Sequence, residues 1–76
     1  MKTKRYSKTA VQQNRYYEVS NIYAYLINSY VNGIFSQFDK IYKELSKDAK
    51  KDFISYCFSE VHPQLIQEII QRAITL

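Results

Sequence analysis

One glycine, Gly33, and one proline, Pro63, in 76 residues leave this chain almost without the residues that make tight turns. A β-rich fold needs many such turns, each asking for a positive or a fixed φ. Long helices need few, so the chain reads as all-α: a compact bundle of about four helices, one long and N-terminal, three shorter. The length allows one domain, and a domain this small, folding alone, hides only about 60 % of its unfolded surface. With 46 % apolar residues there is still material for a core.

Helix signals divide the chain. No apolar periodicity begins before residue 9, so residues 1–8 read as a flexible basic arm and residues 9–76 as a single helical domain. Thr9 and Gln12 have the spacing of a capping box, which starts the first helix. Tyr16, Val19, Tyr23, Leu26 and Tyr30 then recur at steps of three and four, with Ile27 and Ile34 beside them, predicting one inward stripe on one long helix. Asn32-Gly33 is its expected break, or at least a kink. A second helix over 34–45 turns Phe35, Phe38, Ile41, Tyr42 and Leu45 inward and Asp39, Lys40, Lys43 and Glu44 outward. Ser46 caps a third, with Asp48 in the first turn and Phe53, Ile54, Cys57, Phe58 and Val61 on its apolar side. His62-Pro63 ends it and opens a fourth over about 63–75, where Leu65, Ile66, Ile69, Ile70, Ala73 and Ile74 share one face.

Several chemistries lack their residues. Nucleophilic catalysis needs a base and a group to orient it, but the only histidine, His62, sits at a helix boundary. Cys57 lies among Phe53, Phe58 and Val61, where a thiol is core filler with a raised pKa. Two Cys or His residues in total cannot make a structural zinc site, and one glycine cannot make a phosphate-cradling loop. The carboxylates interleave with lysine on outer faces. The expectation is therefore a protein that is not an enzyme, with no cofactor and no metal. A lone cysteine, no apolar run of membrane-spanning length and no signal-peptide pattern point to the cytoplasm.

Charge is where the sequence says most. Residues 1–17 hold Lys2, Lys4, Arg5, Lys8 and Arg15 and no acid, a charge of +5, while residues 18–76 hold six cations and seven acids, a charge of −1. Lysine and arginine neutralise phosphates and tyrosines stack on bases, so Lys2, Lys4, Arg5, Lys8, Gln12 and Arg15 are the candidate contacts to DNA or RNA. Gln12, Gln13 and Asn14 carry amides of the kind that pair with adenine in a major groove. The plainer account is a solubilising start in a chain whose lysine, asparagine, tyrosine and isoleucine content follows A/T-rich codons.

A competing function is a protein–protein adaptor or inhibitor, of the sort a phage or plasmid encodes, with no nucleic-acid role. Its candidate interface is the uncharged face of Asn21, Tyr25 and Asn28, on a second stripe that also takes in Asn14, Glu18 and Asn32. Attachment of the arm to a membrane surface ranks last, because the arm has no apolar insertion face. The apolar end Ile74-Thr75-Leu76 needs cover, either from the core or from another copy, the latter as a homodimer through the first and last helices.

Overall fold

The computed structural model describes residues 7–76. Within them the chain is all-helical, with five helices: α1 (Ala10–Tyr17), α2 (Ile22–Val31), α3 (Phe35–Glu44), α4 (Lys47–Glu60) and α5 (Pro63–Ile74). The expected long first helix is two helices, so the count is five instead of four. Glu18 leaves the right-handed region (φ 56°, ψ 49°), and Asn21 restarts the helix as the N-cap of α2, its side chain accepting from the N–H groups of Tyr23 and Ala24. Asn14 adds a second tie, its Oδ1 accepting from Ile22 N–H at 2.7 Å. Asparagine side chains that bond nearby backbone compete with a continuous helix, and here two of them do so within eight residues.

That break rotates α1 relative to α2 and changes which residues face inward. Tyr16, expected on the inner stripe, is 54 % exposed, while Gln13 is fully buried and Tyr17 packs against the core. The uncharged stripe is divided as well: Asn14 and Glu18 belong to the α1 side of the break and Asn28 to α2. Gly33 ends α2 outright. Its φ is 76°, its N–H bonds to Tyr30 O, and Ile34 N–H reaches back to Ser29 O at 2.9 Å, closing a Schellman motif.

The core is aromatic at its centre. Phe38 and Phe53 are fully buried, with Tyr42 stacked on Phe38 at 6.0 Å and Tyr23 against Phe53 at 5.8 Å. Rings at such separations contribute about 0.5–1.5 kcal/mol per pair beyond the area they bury. Ile22, Leu26, Ile41, Cys57 and Ile69 are the other fully buried apolar residues. α1 packs on α2, α2 on α3, and α4 on α5. Phe58, expected inward, is 66 % exposed, and Ile74, expected on the inner face of the last helix, is 77 % exposed.

Side-chain ties fix the last helix to the third. Arg72 makes a two-pronged pair with Asp39 (Nε–Oδ1 2.7 Å, Nη2–Oδ2 2.9 Å), and its guanidinium lies 4.6 Å from the Phe35 ring centroid. The Asp39 hydrogen bond holds the Arg72 pKa above its usual range. This stack accounts for a partly exposed Phe35 where a buried one is expected. The anticipated caps are present at Thr9, with its capping box to Gln12, and at Ser46, whose Oγ accepts from Ala49 N–H. His62 is the N-cap of α5, with Nδ1 accepting from Gln64 N–H at 3.3 Å. Among the described residues no helix is long and apolar enough to cross a membrane, and no group of three or more His, Cys, Asp or Glu residues is placed to hold a metal ion.

Candidate nucleic-acid interface

The chain enters α1 from a fixed point. Lys8 forms an isolated parallel bridge with Leu45: its N–H donates to Glu44 O at 2.8 Å, and its carbonyl accepts from Ser46 N–H at 2.9 Å. Its backbone therefore belongs to the folded body, while Lys2, Lys4 and Arg5 lie outside the described residues. From Lys8 the helix rises through the capping box, and the positions four, seven and eight residues on return to the same side. These are Gln12, Arg15 and Tyr16. With Lys8 they line one open concavity of about 320 Å³.

Beneath α1 lies a polar cluster that the pattern of charges did not disclose. Glu44, expected on a solvated face, is only 6 % exposed. Its Oε1 accepts from Gln13 Nε2 at 3.0 Å and from the Tyr17 hydroxyl at 2.7 Å. A buried carboxylate is tolerable when donors surround it, and these two residues stand at i and i+4 on the inner side of α1. The only signal in the sequence was that spacing, Gln13 to Tyr17, and it was obscured by reading Tyr16 as the inward residue.

Fixing Tyr17 in this way also orients its neighbour. The Tyr16 ring meets the Tyr17 ring edge-on, with centroids 5.0 Å apart and planes at 80°. Tyr16 thus presents an exposed aromatic surface beside Arg15, in the concavity shared with Lys8. Sequence reasoning missed it as a site residue.

Two other concavities carry the opposite or a mixed charge. One of about 480 Å³ is lined by Thr9, Tyr23, Asp48, Lys51 and Asp52 among others, and one of about 230 Å³ includes Asp52 and Glu60. Tyr23 donates to Asp52 Oδ2 at 3.0 Å across this region, and burial, with the Asp52 hydrogen bond and charge added, raises its hydroxyl pKa well above the usual value. Neither surface suits an anion.

The proposed protein-interface residues Asn21, Tyr25 and Asn28 do line up along one edge of α2. Two of the three are already engaged: the Asn21 side chain caps the helix and its Nδ2 lies 3.5 Å from the Tyr56 hydroxyl, while Tyr25 packs against the core and toward Tyr17, with ring centroids 6.2 Å apart. Asn28 is exposed.

In fold and site, then, the described residues form five helices with a cationic, partly aromatic concavity on the first. Compared with protein-family models, curated proteins and solved structures, the chain finds no match in any of the three.

Proposed function

We propose that this chain is a small, non-enzymatic nucleic-acid-binding protein of the cytoplasm. Its contact surface is the Lys8, Gln12, Arg15 and Tyr16 concavity, extended by the cations Lys2, Lys4 and Arg5 that precede it in sequence. The observation supporting this most directly is the convergence of two cations and an exposed ring in one concavity, whereas the neighbouring concavities contain Asp48, Asp52 and Glu60. Cations placed this way neutralise phosphates and release counterions, which makes binding fall steeply with salt. An anion docked beside Lys8 also relieves the mild opposition between that cation and the positive end of the α1 dipole.

The test is titration of labelled single-stranded and duplex oligonucleotides with the full chain at two salt concentrations. Micromolar or tighter, salt-sensitive binding supports the reading, and a Lys8→Gln/Arg15→Gln double variant should bind more weakly with a shallower salt dependence. Absence of binding at low salt would sink it. Light scattering on the same sample reads whether two copies associate.

A further inference from the structure

We infer that two copies of this chain exchange α1, each copy straightening residues 18–21 so that α1 and α2 run on as one helix. The inference goes beyond the nucleic-acid reading and does not depend on it. It rests on a strained connection and on what that connection holds in place.

The residues between α1 and α2 are ones a helix accepts. Glu18, Val19, Ser20 and Asn21 include neither glycine nor proline. The later connections are of another kind: Gly33 supplies the left-handed residue after α2, Ser46 caps α4, and Pro63 bars a helix from running on into α5. Glu18 instead holds a φ of 56° with a full side chain, where Cβ crowds the following carbonyl and only glycine sits easily. Short hinges under strain are where chains exchange an element with a second copy.

Straightening replaces hydrogen bonds one for one. In the folded chain Ile22 N–H donates to Asn14 Oδ1 at 2.7 Å, and the N–H groups of Tyr23 and Ala24 donate to Asn21 Oδ1 at 3.0 and 3.3 Å. In a continuous helix the same three donors meet the carbonyls four residues back, those of Glu18, Val19 and Ser20. Tyr25 N–H already donates to Asn21 O in that pattern, at 3.0 Å. The side-chain caps are given up, and the left-handed glutamate goes with them.

A straight helix carries α1 away from its own body, which is why a second copy is needed. Gln13 is fully buried, Ala10 and Tyr17 pack on the core, and Glu44 accepts from Gln13 and Tyr17. Lys8 is bonded through its backbone to Glu44 and Ser46. A chain opened by itself loses all of these contacts and bares the surface beneath α1. Two opened chains related by a two-fold axis remake each contact across the pair, because each α1 takes the other's place. The exchanged dimer therefore keeps the contacts of the monomer and sheds the strain at two Glu18 residues, with chain concentration setting the balance.

The experiment is light scattering after size exclusion on the full chain, from micromolar to millimolar concentration, where a monomer–dimer equilibrium is expected. Glu18→Gly relaxes the turn and weakens the continuous helix in both chains, so it should weaken dimerisation by about 100-fold. Asn21→Ala removes the cap that only the turn uses and should strengthen dimerisation, also by about 100-fold. The Lys8–Leu45 bridge reads the exchange directly. In dimers refolded from equal parts of isotope-labelled and unlabelled chain, filtered nuclear Overhauser contacts should join Lys8 of one chain to Leu45 of the other.

A chain that stays monomeric at millimolar concentration overturns the inference. So does a dimer in which Lys8 meets Leu45 only within one chain, or a Glu18→Gly dimer as tight as the parent's. Circular dichroism reports whether each variant is folded. Should Asn21→Ala unfold, Glu18→Gly decides the comparison, since that change relieves strain in the folded monomer.

Discussion

Glu18 occupies in α1 the position that Gly33 occupies in α2. Each has a positive φ, 56° and 76°; each donates its N–H three residues back, to Arg15 O and Tyr30 O; and each is followed by a residue bonded five back, Val19 to Asn14 O and Ile34 to Ser29 O. Two helices end in the same motif, one with the residue that suits it and one without. A side chain in the left-handed region costs about 1–2 kcal/mol that glycine avoids, and glycine returns part of this through its freer unfolded chain. Glu18→Gly should therefore stabilise the protein by about 0.5–1 kcal/mol, read as a higher urea midpoint at unchanged slope, while Glu18→Ala should give no such gain.

The contrast explains how much of the architecture could be read beforehand. Helices, the ends at Gly33 and Pro63, the caps at Thr9 and Ser46, and burial of Phe38, Phe53, Cys57 and Ile69 all follow from local chemistry and periodicity. The α1–α2 break does not, because its left-handed residue is a glutamate and the apolar steps run on through Val19 without interruption. It becomes legible only when Asn14 and Asn21 are seen capping one helix start from two directions. Once the break is missed, Tyr16 turns inward on paper and the candidate site loses its aromatic member. Lys8, Gln12 and Arg15 were legible from charge and spacing, since both survive an error in helix length. Burial of Glu44 was not, for it depends on α1 crossing α3, a tertiary fact that alternation with Lys40 and Lys43 conceals.

Lys43 and Glu44 are adjacent, charged and equally hydrophilic, yet one is exposed and the other is buried under α1. Replacing Glu44 with alanine removes the acceptor for the buried Gln13 amide and the Tyr17 hydroxyl. Loss of one partner from a buried hydrogen bond costs about 1–3 kcal/mol. Glu44→Ala should fall in or above that range, and Lys43→Ala within about 0.5 kcal/mol of the parent. Chemical denaturation of the two variants side by side checks the difference; equal stabilities would mean that the polar cluster contributes nothing.

Alkaline pH should unfold the protein in a particular order. Burial pushes the Cys57 thiol from the ordinary 9.0 up to about 11. The folded state thus favours the neutral thiol, so this contribution is complete below pH 9 and is lost as pH rises from 9 toward 11. Between pH 9 and 10 the loss from this one group comes to about 1 kcal/mol. Above pH 10 the buried hydroxyls of Tyr23 and Tyr42, both raised from the ordinary 10.0 chiefly by burial, act in the same direction. Denaturation midpoints should fall more steeply from pH 9 to 10 in the parent than in Cys57→Ala, where only the smaller onset of tyrosine ionisation is left. A parallel fall in both would assign the loss to other groups.

Lys8 separates the work of its backbone from that of its side chain. The backbone is bonded on both sides, to Glu44 O and to Ser46 N–H, and neither bond needs the ammonium group. Lys8→Ala should accordingly leave stability within about 0.5 kcal/mol of the parent while removing one charge from the concavity. Lys8→Pro deletes the N–H that Glu44 O accepts and should cost about 1–3 kcal/mol, the usual penalty for an orphaned partner. In oligonucleotide titrations Lys8→Ala should lower the magnitude of the single-strand salt slope by about 0.7, one phosphate contact's worth. If Lys8→Ala instead unfolds the protein, the side chain is structural and the concavity loses one of its two cations as a binding group. If it folds and binds with an unchanged slope, the phosphate runs elsewhere, and Arg15 and the residues before Lys8 become the contacts to test.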